Sequence, residues 1–276
     1  ALALVCAVCL YGMANARTLR VTEYAVTLEG AGEDMTVALL ADLHLGYSTD
    51  PAYIERAAQA VNDMQPDLIV VAGDIFDNEY EAVPEPDRIA AALASMHSTY
   101  GAYACWGNHD LSEPILAGFT WDTEDEEKND PQMAGFLRRA GINLLEDEKV
   151  TLKNGVQLVG RKDPSRDRKL GDERLSPAEW AGLLEPEKPA FVIDHQPKEL
   201  EALAEAGFDL DLTAHSHGGQ VFPSNLIMGF LWENPCGMVQ IKDMFSVVTS
   251  GLGVWGPDMR VGTASEVVKI SVHFGG

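Results

Sequence analysis

Short, uninterrupted apolar runs recur along this chain, and each ends in a cluster of carboxylates, imidazoles or amides. The runs are Thr36 to Ala41, Asp67 to Ala72, Gly101 to Trp106 and Ala190 to Ile193, and a further predicted strand, Leu210 to Ala214, carries Asp211 and Thr213 between its apolar residues. They are too short for helices and lack the alternation of a half-exposed strand, so they predict strands buried on both faces. Helical segments separate them. Asp50-Pro51 opens a helix to about Met64, with Asp as N-cap and Pro in the first turn. Further helices are expected at Pro86 to Met96, Pro131 to Ala140, Ser176 to Leu184 and Lys198 to Ala206. Val21 to Leu28 reads as an alternating strand, and Leu144 to Leu152 with Val156 to Gly160 as a hairpin turning at Asn154-Gly155. Met238 to Ile241, Ser246 to Thr249 and Val267 to Val272 add strands late in the chain. The pattern is α/β, richer in β towards the end. Two sheets packed face to face in a β-sandwich, flanked by helices, accommodate both halves.

The polar clusters follow the runs. Asp42-Leu43-His44, Gly73-Asp74-Ile75-Phe76-Asp77, Gly107-Asn108-His109-Asp110, His195 and His215-Ser216-His217-Gly218-Gly219 each lie just after a predicted buried strand. Taken singly, each has an ordinary explanation: a capping aspartate, a surface or core histidine. Taken together they should converge, because ligand sites of α/β sheets lie beyond the carboxyl ends of the strands. Unpaired carboxylates and imidazoles are also costly to bury there without a partner. On extended backbone Asp42 and His44 would point the same way. A carboxylate at Asp74, after a permissive Gly73, could bridge two ions. A kink between His215 and His217 would send them to different ions. Aspartate, histidine and asparagine together suit Mn²⁺, Fe or Zn²⁺ better than Ca²⁺ or Mg²⁺.

This ordered set resembles the calcineurin-like metallophosphoesterases, over Thr36 to about Val272, and within them a bacterial membrane-anchored subgroup. Tyr11-Gly12, Asn15-Ala16, His195-Gln196-Pro197, His217-Gly218-Gly219-Gln220, Ser250-Gly251-Leu252-Gly253 and Arg260 carry the narrower likeness. The resemblance implies the family's two-sheet fold and a dinuclear metal centre. Asp42, His44 and His217 would hold the first ion, Asn108, His195 and His215 the second, and Asp74 would bridge them. A hydroxide shared by the ions would attack phosphorus. His109 would face the leaving group, oriented by Asp77, while Asp110 would cap the following turn. Ala214 departs from the family's usual Gly, and Asp194 before His195 is also unusual. The subgroup implies a lipid-linked phosphate substrate, such as a UDP-diacylglucosamine pyrophosphate or a phospholipid headgroup. Arg161, Arg166 and Arg260 are candidates for binding a substrate phosphate. Trp106, Trp255 and Phe222 are candidates for lining its pocket, with core packing as the ordinary alternative.

Composition trims the alternatives. A formal net charge of -23, from 43 acidic and 20 basic residues, repels nucleic-acid backbones and argues against a nuclease. A non-catalytic metal-binding or protein-interaction module on the same fold is the other alternative, and the intact ligand set argues against it. The acidic run 122–127 is expected to be a solvated loop. Cys6 and Cys9 have redox-pair spacing but sit in an apolar run, and with Cys105 and Cys236 they define no disulfide framework. The length, 276 residues, suits one catalytic domain over residues 17–276 behind a hydrophobic segment at 1–16. That segment is shorter than the roughly 20 residues of a bilayer span. It reads as part of a transmembrane anchor, as a signal peptide with Ala14-Asn15-Ala16 resembling a cleavage site, or as a buried helix. The first two place the chain at the cell membrane, with the catalytic domain expected on the extracytoplasmic side.

Overall fold

The computed structural model describes residues 1–30, 32–112, 115–116, 119–120, 130–171 and 173–275; the acidic run 122–127 lies outside them. Helix α1 (Leu2–Ala16) leads into β1 (Leu19–Glu29) and β2 (Met35–Leu40), followed by α2 (Pro51–Asp63), β3 (Leu68–Ala72), α3 (Pro86–Ala94) and β4 (Ala102–Cys105). A small ladder of β5 (Ile115–Leu116) and β6 (Phe119–Thr120) precedes α4 (Pro131–Arg139), β7 (Ile142–Leu144), β8 (Glu148–Thr151) and β9 (Gln157–Gly160). The rest comprises α5 (Pro164–Leu170), α6 (Pro177–Ala181), β10 (Ala190–Ile193), α7 (Leu200–Ala206), β11 (Leu210–Thr213), β12 (Gly237–Ile241), β13 (Met244–Val248) and β14 (Ser265–Gly275).

The strands form two six-stranded sheets, ordered β1-β14-β2-β3-β4-β7 and β12-β13-β11-β10-β9-β8. Each holds a parallel run of strands, β2-β3-β4-β7 in one and β13-β11-β10-β9 in the other. Successive residues of a strand face opposite sides, and both sides are apolar here. Val37 and Leu39 of β2 pack between the sheets with Val70, Phe191, Ile193 and Leu212, whereas Ala38 and Leu40 face Ile54, Val61, Ile89 and Leu93 of α2 and α3. A third cluster packs Val159 and Val192 on Trp180, Leu200 and Leu203 of α6 and α7. The result is four layers, helices outside two sheets, and burial on both faces explains why the runs lack alternation. Each enclosed Leu or Ile contributes about 1.5–3 kcal/mol.

Several boundaries move. The expected strand Leu144 to Leu152 is two strands in different sheets: β7 pairs with β4, and β8 pairs with β9. The chain crosses between sheets at Leu145–Asp147, where Asp147 takes a left-handed φ of 52°. The expected turn at Asn154-Gly155 does join β8 to β9, with Gly155 at φ 92°. Helix α7 starts at Leu200 rather than Lys198, because Glu199 is left-handed and cannot be its first turn. The expected caps at Asp50 and Ser176 are present: Asp50 accepts from the Ala52 N–H, and Ser176 forms a capping box with Glu179. Helix α5 has no counterpart in the sequence expectations. Helix α1 is largely exposed, and only its last turns bury residues, namely Gly12, Asn15 and Ala16. Among the described residues no helix is long and apolar enough to cross a membrane.

Candidate metal centre

The loops after β2, β3, β4, β10 and β11 meet at one end of the two sheets. Backbone hydrogen bonds tie them together. Asp42 N–H donates to Gly73 O, His44 N–H to Asp74 O and Leu45 N–H to Ile75 O, at 3.0, 3.0 and 2.9 Å. Ala214 N–H donates to His195 O, and His109 N–H to Asp74 Oδ1 at 2.8 Å. Asp42, His44, Asp74, His215 and His217 all take left-handed φ, between 43° and 71°. Non-glycine residues rarely do so, and such strain persists only where surrounding contacts impose it. The expected extended geometry at Asp42 and His44 is therefore corrected. These two side chains converge through a turned backbone held by the β3 loop, not through strand alternation.

The expected ligand side chains gather into two groups, and a third brings His44 together with Asp77 and His109. Asp42, His44 and His217 lie together, as do Asp74, His195 and His215, with ligand atoms in each group within 4.8 Å of one another. In the first, His44 Nε2 is 3.1 Å from His217 Nε2, and His217 Nε2 is 3.7 Å from Asp42 Oδ2. In the second, His195 Nε2 lies 3.1 Å from Asp74 Oδ2, 3.0 Å from His215 Nδ1 and 3.1 Å from Asn108 Oδ1. Asp74 Oδ2 is also 3.8 Å from His44 Nε2, so this carboxylate stands between the groups. His215 and His217 fall in different groups, with Ser216 in a right-handed turn between two left-handed residues.

These residues fit divalent cations. His44 Nε2 with His217 Nε2, and His195 Nε2 with His215 Nδ1, lie 3.1 and 3.0 Å apart, close enough for each pair to turn to one cation. Asp42 Oδ2 is buried and has no hydrogen-bond partner among the described residues, a costly state for a carboxylate without a cation. Burial, reinforced by His195, lowers His215 to a pKa of about 3. Burial, then His44 and Arg260, holds His217 well below its ordinary range. Both rings are thus neutral, the form that binds metal. Burial would raise Asp74, but His195, His109 and His44 hold it well below the usual carboxylate range.

His109 stands beside the first group, its ring centroid 5.1 Å from that of His44. Its Nδ1 hydrogen-bonds Asn78 Oδ1 at 2.7 Å and lies 3.7 Å from Asp77 Oδ1. The orienting contact expected of Asp77 is therefore supplied by Asn78, which sequence reasoning missed. Asp77 sits between rings, also 3.6 Å from His44 Nδ1. Asp110 accepts from the Phe76 and Gly107 N–H groups at 2.8 and 2.7 Å, and so fastens the β3 and β4 loops together.

The arginine expectations are corrected. Arg161 is fully enclosed and pairs with Asp194 at 2.8 Å and Glu199 at 3.0 Å, so no substrate phosphate can reach it. Arg260 is equally enclosed. It donates to the carbonyls of Ser250, Gly251 and Gly253, and its Nη2 is 3.3 Å from His217 Nδ1. It orients a ring of the first group instead of meeting substrate. Arg166 is buried, donates to Asp110 O and lies over Trp106. Asp194 points away from the centre towards Arg161, while its Oδ1 accepts from the His195 N–H.

A cavity of about 510 Å³ opens over the centre, with Asp74, His109, His215 and His217 beside Val221, Met228, Trp255 and Met259. Trp255 lines it as anticipated. Trp106 is buried elsewhere against Phe76, and Phe222 is exposed beside the cavity rather than in its wall. Trp232, whose ring meets His215 edge-on at 4.8 Å, gave no sequence signal.

Residues 35–219 match the model of the calcineurin-like phosphoesterase family. The chain belongs to that family. It is 26% identical over 259 residues to an uncharacterized metallophosphoesterase of Campylobacter jejuni, covering 93% of this chain and 64% of the relative. It is 25% identical over 223 residues to the UDP-2,3-diacylglucosamine pyrophosphatase LpxG of Chlamydia trachomatis, covering 68% of this chain and 64% of that protein. A transmembrane protein with metallophosphoesterase domain from Danio rerio is 27% identical over 286 residues, covering 98% and 61%. The chain thus spans just under two thirds of the length of each of these relatives.

Proposed function

We propose that this chain hydrolyses a phosphate ester or pyrophosphate carried by a lipid, using two divalent ions (Mn, Fe or Zn). Asp42, His44 and His217 would hold one ion, Asn108, His195 and His215 the other, and Asp74 both. The observation that carries this reading is the pair of ligand clusters meeting across Asp74 Oδ2 beside an open cavity. When bound, the ions would neutralise phosphoryl oxygens and lower the pKa of water.

The chain's own residues supply the rest. Asn78 Oδ1 accepts from His109 Nδ1 and so fixes the ring. With Nδ1–H engaged there, Nε2 gives a proton to the departing oxygen from the imidazolium form, which burial disfavours, lowering His109 to a pKa of about 4, and which the neighbouring Asp74 and Asp77 carboxylates favour. Val221, Met228, Trp255 and Met259 form an apolar wall suited to hydrocarbon beside the reacting phosphate. The LpxG relatives act, by name, on a diacylated sugar nucleotide, and a substrate of that class suits this wall. Helix α1, with Leu2, Leu4, Val5 and Leu10 exposed, would keep the chain at the cell membrane, its catalytic domain on the extracytoplasmic side.

A screen of the Mn²⁺-loaded chain against monoesters, diesters and lipid-linked pyrophosphates tests this, with Asp74→Asn as the blank. The proposal expects turnover of a lipid-linked substrate that Asp74→Asn abolishes. Turnover unchanged in Asp74→Asn would overturn it.

A further inference from the structure

We propose that the segment 222–232 is a membrane-inserting loop that seats the mouth of the cavity on the surface of a lipid bilayer. It rests on the proposed function only in treating the cavity as the substrate's entrance.

Phe222, Leu226, Ile227, Phe230 and Leu231 stand out of the protein surface, Phe230 at 89% exposure and Leu231 at 66%. A contiguous set of this kind marks an interaction surface rather than scattered exposure. Residues 218–232 carry no charged side chain, although the chain as a whole is strongly acidic. The loop also bonds much of its own backbone. In two short 3-10 turns, Leu226 N–H donates to Pro223 O, Ile227 to Ser224, Phe230 to Ile227 and Leu231 to Met228. Such pairing lowers the cost of leaving water.

The loop shares its support with the other exposed apolar element. Phe222 N–H donates to Val261 O, and Val261 N–H to Gln220 O. Helix α1 rests on the same segment: Arg260 N–H donates to Gly12 O, and Asn15 Nδ2 to Arg260 O. Met259 and Val221 continue from this segment into the cavity wall, where Met228 of the loop joins them. An apolar path therefore runs from the loop tip to the metal centre. Trp232 and Trp255 lie near its inner end, against His215 and His109.

The occupant is a lipid surface, and charge says which kind. Neither residues 1–16 nor 218–232 contain a Lys or Arg, and a net charge of -23 repels anionic headgroups. Insertion driven by hydrocarbon contact alone fits a zwitterionic bilayer and is insensitive to salt. A lipid substrate would then pass from the bilayer along the apolar wall without crossing water.

The test uses the full chain with Phe230→Trp and vesicles of phosphatidylcholine, with and without brominated acyl chains. The added fluorescence, taken as the difference from the parent chain, should shift to the blue and be quenched by the brominated lipid. Phe230→Asp with Leu231→Asp should weaken vesicle binding by about tenfold or more. Hydrolysis of a soluble diester should be unchanged in that variant, which also shows that it folds. Absence of quenching overturns the proposal. So does a dimer in sedimentation equilibrium that the Asp variant dissociates, since the face would then belong to a second copy. Vesicle binding needs neither metal nor turnover, so a failed activity screen leaves this inference standing, and the reverse also holds.

Discussion

Asn78 offers the sharpest perturbation of the proposed chemistry. It is fully enclosed, its Oδ1 lies 2.7 Å from His109 Nδ1, and its Nδ2 donates to Leu111 O at 3.2 Å. Its backbone is left-handed at φ 65°, so Asn78→Gly removes the carboxamide without adding backbone strain. The lost Leu111 bond costs about 1 kcal/mol of stability. The lost bond to His109, together with the freedom it returns to the ring, is worth about 1.5–3 kcal/mol in the transition state, or roughly 10- to 100-fold in rate. That loss should appear in kcat with phenyl-type leaving groups, which need a proton, and be much smaller with p-nitrophenyl, which does not. KM should hold steady, and Asn78→Asp, which keeps an acceptor, should restore part of the rate. Equal losses on both leaving groups, or a loss confined to KM, would refute the assignment of His109 to the leaving group.

Three further outcomes are expected. In Gly107→Ala the new Cβ would overlap Asp74 Oδ1 and the Asp74 backbone N; diester hydrolysis should fall by about 100-fold, with a stability loss of about 1–3 kcal/mol by denaturant titration. Arg161→Met leaves the buried Asp194 with Arg174, at 3.1 Å, as its remaining cationic partner among the described residues, and should cost about 2–4 kcal/mol in the same titration. Burial raises the Asp211 carboxyl from 3.8 to about 7, partly offset by Ser246. The folded state therefore binds more protons than the unfolded chain between those values, and stability contributed here falls as pH rises through that window. Asp211→Asn should raise the melting temperature at pH 8 and change it little at pH 4, and an equal change at both would contradict the assignment.

The parts of the fold that could be read from sequence were those where physics leaves few choices. Strands such as β2, β3 and β10, buried on both faces, cannot be anything but short apolar runs, and their ends located Asp42, Asp74 and His195. What the sequence hid was decided by contacts between distant segments. Whether Asp77 or Asn78 holds His109 depends on a left-handed turn at Asn78 and on the reach of the β4 loop. Arg161 and Arg260 looked like phosphate binders because charge is visible in sequence, while their burial against Asp194 and the 250–253 carbonyls is not. The expected single strand from Leu144 divides because a turn at Asp147 sends its halves to different sheets. The loop 222–232 is apolar enough to pass for core, and only its exposure sets it apart.

The central claim, a two-metal site made by two clusters sharing Asp74, is tested most directly by counting metal. Elemental analysis of the purified chain, loaded with Mn²⁺ and freed of excess, should give two ions per chain. Asp42→Asn should weaken one of them and Asp74→Asn both. A wild-type chain that retains no ion, or one whose ions survive Asp74→Asn undiminished, would contradict the account.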